Sequence, residues 1–306
     1  MSAFALRRLT SIAAIAAGLW SPGASPPALA ADGPAQSARV ETFELRSEVF
    51  HNTRSIRVLL PQEYRDPANR NRRYPVFYLN DGFAVFKAGA WNAPETVERL
   101  ESEGRIAPII LVGIDNGATA ENGSADQRTR EYLPYPDPKY EPSVPSPRGA
   151  SYPKFLIEEV IPAVSSRYRT LTGAENTGVG GASYGGLAAL YTVLSQPGRF
   201  SRLLLESTPL FMGDFAALKE ASRARRWPSR IAIGIGTKEG DDEALAPRAS
   251  SDMEALRSAI LRGSPRSKVK LVVEPGAAHG SEAWRRRLPA ALEFLWPPTA
   301  GDAGPR

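Results

Sequence analysis

The sequence predicts an α/β fold with a mostly parallel central sheet flanked by helices on both faces. Three observations point there. Continuous apolar runs such as Tyr74–Leu79 and Ile109–Ile114 read as strands buried on both faces. Helical patterns alternate with such runs along the chain, as in a crossover-connected parallel sheet. One short apolar segment, Thr177–Gly180, leads through a glycine-flanked serine straight into a helix-like run of small and apolar residues, Gly186–Leu194.

In chain order, residues Val40–Leu60 alternate in short β-like stretches, such as Ser55-Ile-Arg-Val-Leu-Leu60, and are followed by the polar turn Asp66–Arg70. The first two buried strands are Tyr74–Leu79 and Ile109–Ile114. Val179 sits on a third, Leu203–Leu205 on a fourth, Ile231–Ile235 on a fifth and Val269–Val273 on a sixth. Tyr152–Arg167 places Phe155, Leu156, Val160 and Val164 near one helical face, and Leu245–Leu261 and Glu282–Phe294 are further helices. Gly117–Ala150 carries six prolines, at 134, 136, 138, 142, 145 and 147, and reads as a long structureless loop. It leaves the sheet at the end of the second buried strand, the edge where open α/β sheets bind ligands. There is no internal repeat.

A chain of 306 residues with 42% hydrophobic and 23% charged residues fits one large domain. The net charge of +5 comes mostly from scattered arginine. Two clusters, Arg223-Ala-Arg-Arg226 and Arg285-Arg-Arg287, are expected to be solvated helix faces rather than a nucleic-acid footprint. Arg7 and Arg8 precede an apolar run from Leu9 to about Leu19, and Ala28-Leu29-Ala30 is an A-x-A cleavage site. Residues 1–30 are therefore expected to be a signal peptide of an exported, secreted or periplasmic protein. The apolar run is too short to span a bilayer, so no stable membrane insertion is expected. Residues 31–298 are expected to form the domain and 299–306 a frayed tail. With no cysteine in the chain, a disulfide, a thiol nucleophile and a thiolate metal site are excluded.

The chemistry centres on Gly181-Ala-Ser183-Tyr-Gly185. Between a strand and a helix, a G-x-S-x-G segment is the sharp turn that exposes a serine hydroxyl at the top of an α/β-hydrolase sheet, and its glycines keep Cβ atoms out of the crowded bend. Serine needs a base, and the chain has only two histidines. His51 lies in the N-terminal β-like stretch and reads as structural. His279, in a Gly/Ala-rich loop between the last strand and the last helix, is the expected base. The acid should follow a strand end between Ser183 and His279. Glu239, Asp241 and Asp242 qualify there, with Glu239 favoured and Asp242 second. The two oxyanion-hole N–H groups are expected from Tyr184, after the nucleophile, and from Phe83, in the loop after the first buried strand. Two histidines are too few for a His-based zinc site.

The set of segments Tyr74–Gly82, Val112–Gly117, Arg128–Pro134, Glu159–Pro162, Tyr168–Thr170, Gly180–Gly186 and Gly236–Glu239, with His279 and Trp284, resembles the enterochelin-esterase-like, or esterase-D-like, esterases of the α/β-hydrolase superfamily. The match spans about Val58 to Trp296. Glu239 stands where that family often carries Asp. The resemblance implies a serine esterase acting through an acyl-enzyme on a small-molecule ester, without a cofactor. It further implies siderophore, feruloyl or acetyl esters as substrates. Arg128 and Arg130 are candidate contacts to an anionic or catecholate substrate. An acyltransferase with the same three residues, or a non-catalytic binding protein on the same fold, is the alternative.

Overall fold

The computed structural model describes residues 39–298 except 121, 122, 125 and 241–244. The expected signal segment, the tail, Asp241 and Asp242 lie outside the described residues. An eight-stranded sheet runs in the order β1-β2-β4-β3-β5-β6-β7-β8. β1 (Val40–Ser47) and β2 (Asn52–Leu59) form an antiparallel hairpin, and β2 runs antiparallel to β4. His51 sits at the hairpin turn with φ 57°, exposed. The remaining strands are parallel: β3 (Val76–Asn80), β4 (Ile110–Ile114), β5 (Thr177–Ala182), β6 (Arg202–Glu206), β7 (Arg230–Lys238) and β8 (Lys268–Ala278).

Period-two alternation builds two apolar layers. On β3, Val76 and Tyr78 join the core of one face and Phe77 and Leu79 that of the other; Leu203 and Leu205 oppose Leu204 on β6 in the same way. The second face is covered by α1 (Gly82–Phe86), α2 (Ala93–Ser102) and the last helix, through Val85, Val97, Leu100, Leu288, Leu292 and Leu295. The first face takes the helices between β4 and β5, then α6 (Tyr184–Ser195), α7 (Met212–Arg223) and α8 (Leu245–Gly263). The last helix is α9 (Ser281–Leu295). The helical stretch between β4 and β5 that was expected as one helix is three pieces: α4 (Tyr152–Lys154), a π-helical turn Phe155–Val160 and α5 (Ile161–Arg167). Its expected inner face, Phe155, Leu156, Val160 and Val164, is fully buried.

The segment 117–150 departs from its expectation as structureless. It contains α3 (Gln127–Tyr132) and is tied down by a buried ion pair. Arg54 on β2, 0% exposed, donates Nη1 and Nη2 to Glu131 at 2.7 and 2.8 Å, and Glu131 also accepts from the Gly117 amide at 2.9 Å. A guanidinium–carboxylate fork of this kind satisfies both partners away from water. The proline content hid this order, because each proline breaks local periodicity while tertiary contacts hold the chain.

The strand order reverses at β3: the chain goes to β4 on one side, then returns to β5 on the other. The crevice beyond the carboxyl ends of β3 and β5 is the topological switch point, the place where open α/β sheets bind ligands.

Candidate active site

Ser183 follows β5 and precedes α6 with φ 54° and ψ −131°, a backbone conformation that side chains rarely adopt. Its amide donates to the Glu206 carbonyl at 2.8 Å. Tightness of the bend explains its glycines: a Cβ on Gly181 would lie 2.6 Å from the Gly185 carbonyl carbon, and one on Gly185 would meet Asp81 at 2.9 Å. The hydroxyl of Ser183 makes no hydrogen bond among the described residues, to His279 or to any other group.

His279 and Glu239 stand on the same sheet edge, beyond β8 and β7. His279 Nδ1 lies 2.8 Å from Glu239 Oε2. The other carboxylate oxygen, Oε1, accepts from the Gly236 amide at 2.6 Å and from Ser207 Oγ at 2.8 Å. Burial alone would raise the Glu239 carboxyl. The hydrogen bond and charge of His279, the Gly236 amide and the Ser207 hydroxyl together bring it below the usual glutamate range. Glu239 is thus held as a carboxylate against the imidazole. Trp284 packs edge-on to the His279 ring at 5.2 Å between centroids and lies tilted against Trp91 at 5.7 Å.

Ser207 was not singled out in the sequence. It follows β6 with φ 46°, donates to Glu239, and accepts from Trp284 Nε1 at 2.9 Å. Behind it Arg287 Nη2 approaches the hydroxyl at 3.5 Å and pairs with the buried Glu206 at 2.7 Å, while Nη1 pairs with Glu274 at 2.7 Å. Burial pushes Glu206 up to about 7, against the lowering effect of Arg287. Arg287 is 6% exposed, which corrects the expectation that Arg285–Arg287 is a solvated face: the third arginine of the run points inward, one helical turn from Trp284. Ser207→Ala leaves the Trp284 indole without its acceptor and Glu239 with one donor fewer. The expected result is a stability loss of about 1–3 kcal/mol with kcat down about tenfold. Thermal unfolding and p-nitrophenyl acetate kinetics measure both, and an unchanged kcat would remove Ser207 from the support of the acid.

The two expected oxyanion donors flank the switch-point crevice. Tyr184 N–H opens α6 and has no partner among the described residues. Phe83 N–H opens α1, whose Gly82 packs so closely on β4 that a Cβ there would lie 2.5 Å from the Gly113 carbonyl carbon. In the resting arrangement the Phe83 amide faces Asp115, whose carboxyl burial raises and whose partner Arg57 (2.9 and 3.0 Å) and this amide lower. The Phe83 ring is 38% exposed.

Arg128 reaches the rim of the crevice with its charge already met. Nε and Nη2 hold the Asp81 carboxylate at 2.9 and 2.8 Å, and Asn116 adds a third donor at 2.7 Å. Asp81 takes a left-handed conformation, φ 61°, just before Gly82-Phe83. Arg128 therefore clamps α3 to the loop that carries the Phe83 amide. Arg130 pairs with Asp126 inside its own segment at 2.6 Å. The segment is also tied to the serine bend through Tyr184 Oη, which donates to Glu141. Among the described residues no group of His, Asp and Glu has metal-binding geometry, and no helix is long and apolar enough to cross a membrane.

A family model described as "Putative esterase" matches residues 47–295. The chain is similar to the endo-1,4-beta-xylanase/feruloyl esterase of Xylanibacter ruminicola, 25% identical over 258 residues, which are 82% of this chain and 30% of that protein. In structure it is similar to an IroE-like serine hydrolase from Shewanella oneidensis (TM-score 0.67, 20% identity, 84% of this chain and 80% of that one). It is also similar to the enterobactin esterase of Shigella flexneri (TM-score 0.66, 20% identity, 86% and 60%). These likenesses show that the sheet and its helices form an α/β-hydrolase fold.

Proposed function

The chain belongs to the esterase family that this model describes, and from that premise we propose that it hydrolyses carboxylic esters through an acyl-enzyme on Ser183. His279 Nε2 takes the proton of the Ser183 hydroxyl as Oγ attacks the ester carbonyl. The Nδ1–H stays on Glu239, which keeps Nε2 the basic nitrogen and stabilises the imidazolium that forms. The oxyanion of the tetrahedral intermediate takes the Tyr184 and Phe83 amides, the latter turning from Asp115 to the stronger developing charge. Collapse releases the alcohol, protonated by His279. Water, activated by the same imidazole, then frees the acid and restores Ser183.

The observation that carries this reading is the Glu239–His279 hydrogen bond at 2.8 Å, on the same sheet edge as a serine held at positive φ. Feruloyl and siderophore esters are the proposed substrate classes, from the feruloyl esterase and enterobactin esterase it resembles. An exported location is part of the proposal and rests on the N-terminal sequence. A fluorophosphonate probe is expected to label the protein at Ser183, located by peptide mapping, with concurrent loss of p-nitrophenyl acetate hydrolysis. Labelling elsewhere, or hydrolysis that survives full labelling, would overturn it.

A further inference from the structure

The sheet edge opposite the candidate active site carries unbalanced positive charge. Three turns lead into β6, β7 and β8 there. They read Gln196-Pro-Gly-Arg-Phe-Ser201, Arg223-Ala-Arg-Arg-Trp-Pro-Ser-Arg230 and Arg262-Gly-Ser-Pro-Arg-Ser-Lys268. Together they hold eight cations and no Asp or Glu. The whole chain has a net charge of only +5, so the rest of it is net negative and the charge is segregated. Arg199, Arg223, Arg225, Arg226, Arg262, Arg266 and Lys268 are exposed. None of the eight is in an ion pair with a carboxylate among the described residues.

The turns form one continuous surface. Ser201 and Ser229 carbonyls accept from the Arg230 and Lys268 amides at 3.1 and 2.8 Å. The Arg226 guanidinium lies over Gly198, where a Cβ would come within 2.8 Å of Nη2, and Gly263 packs against Ala224 and the Trp227 indole. Arg202, Arg230 and Lys268 stand at matched register on three neighbouring strands. The first two cap the last carbonyls of α9, Leu295 at 2.7 Å and Phe294 at 2.9 Å, and so have a structural use. Of the exposed seven, Arg225 reaches the Ser222 and Ala224 carbonyls at the end of α7 at 3.5 and 3.4 Å; the side chains of the other six make no hydrogen bond among the described residues. Two acids that border the turns, Glu175 beside Ser201 and Glu220 beside Ala224, are turned to other partners: Glu175 meets Asn176 in its own turn and Glu220 faces Tyr135. Like charges packed this closely repel, and a stable fold gains nothing from them without a counter-charge.

We propose that this edge adsorbs the protein to a membrane surface of anionic phospholipid headgroups. Long flexible cations spread over three adjacent turns match a planar array of negative charge. The three turns expose no large hydrophobic side chain: Phe83, Leu171 and Val273, the exposed ones among the described residues, all lie outside them. Trp227 is half-buried, with its Nε1 enclosed and its ring packed on the core, and the turns present no fully exposed aromatic ring of the kind on which single-stranded nucleic acid stacks. The attachment is therefore electrostatic, without insertion, and salt reverses it. The candidate active site at the other end of the strands stays open to solvent.

The test is co-sedimentation of the protein with vesicles of phosphatidylcholine alone and with about 30% phosphatidylglycerol. Binding is expected to the anionic vesicles only, and to vanish when salt rises from about 0.05 to 0.5 M. The triple variant Arg225→Ala/Arg226→Ala/Arg266→Ala is expected to bind them about a hundredfold more weakly, with its circular dichroism and p-nitrophenyl acetate hydrolysis unchanged. Equal binding by the variant, or no binding to anionic vesicles at low salt, overturns the proposal. So does preferential binding of duplex DNA over those vesicles at the same salt.

Discussion

Ser183→Ala is expected to lower kcat for p-nitrophenyl acetate by about 10⁵- to 10⁶-fold while leaving the fold intact. The size follows from the proposed role: without Oγ no acyl-enzyme forms, and only the amide donors remain to favour the transition state. The stability half of the prediction follows from the geometry. The hydroxyl of Ser183 has no hydrogen-bond partner among the described residues, so its removal orphans nothing, and unfolding should shift by about 0.5 kcal/mol or less. The strain sits in the backbone, at φ 54°, and belongs to any residue with a Cβ. Ser183→Gly should therefore be as inactive as the alanine variant yet more stable than it by about 1 kcal/mol. Thermal unfolding of the pair, with initial rates on the same ester, checks both halves. Residual turnover within a hundredfold of wild type would show that Ser183 is not the nucleophile.

What could be read from the sequence is what local pattern encodes. β3 and β4 were legible because strands buried on both faces read as near-continuous apolar runs, broken in β3 only by the terminal Asn80, and every residue of both is buried. The Ser183 bend was legible because its glycines answer a steric demand of the bend itself. His279 was legible by scarcity, since only two histidines exist. Glu239 was one of three acids in a turn; the fold brings its carboxylate to the imidazole, while Asp241 and Asp242 lie outside the described residues. Ser207 and Arg287 were invisible for a related reason. A serine after a strand and an arginine in a basic run carry no local signal, and their meaning arises where β6, β7 and α9 converge 80 residues apart in sequence. Arg128 was legible as a candidate for the site, but its partner was not. Its engagement with Asp81 depends on α3 folding back over the loop after β3, which a proline-rich segment does not announce.

In the proposed mechanism these residues form a graded support for one proton transfer. Arg287 neutralises the buried Glu206 and lies against Ser207. Ser207 and the Gly236 amide fix one oxygen of Glu239, which leaves the other for His279. Two further acids, Glu206 and Glu274, act on this region. Without the Arg287 cation the fully buried Glu206, already pushed up to about 7, would take up a proton, and the Ser207 hydroxyl would lose the guanidinium packed behind it.

Glu239→Gln tests the link on which the imidazole depends, and it is expected to lower kcat about 10³- to 10⁴-fold near neutral pH. Glutamine is nearly isosteric, and its Oε1 can still accept from the Gly236 amide and Ser207. Its Nε2 then faces His279 Nδ1 as a donor. The imidazole must accept at Nδ1, so its proton moves to Nε2, the nitrogen that should receive the proton of Ser183. The base is present in the wrong tautomer. Stability gives a second reading of the same contact. The folded-state carboxyl of Glu239 lies below the usual value, so it contributes stability above the unfolded glutamate value of about 4.3. That contribution is lost as pH falls through the folded-state value. Wild type should therefore exceed Glu239→Gln in thermal stability at pH 7, and the gap should close on acidification. Kinetics at pH 7 and unfolding between about pH 3 and 7 measure the two effects. A variant within tenfold of wild-type kcat would mean that the imidazole finds its orientation without this carboxylate.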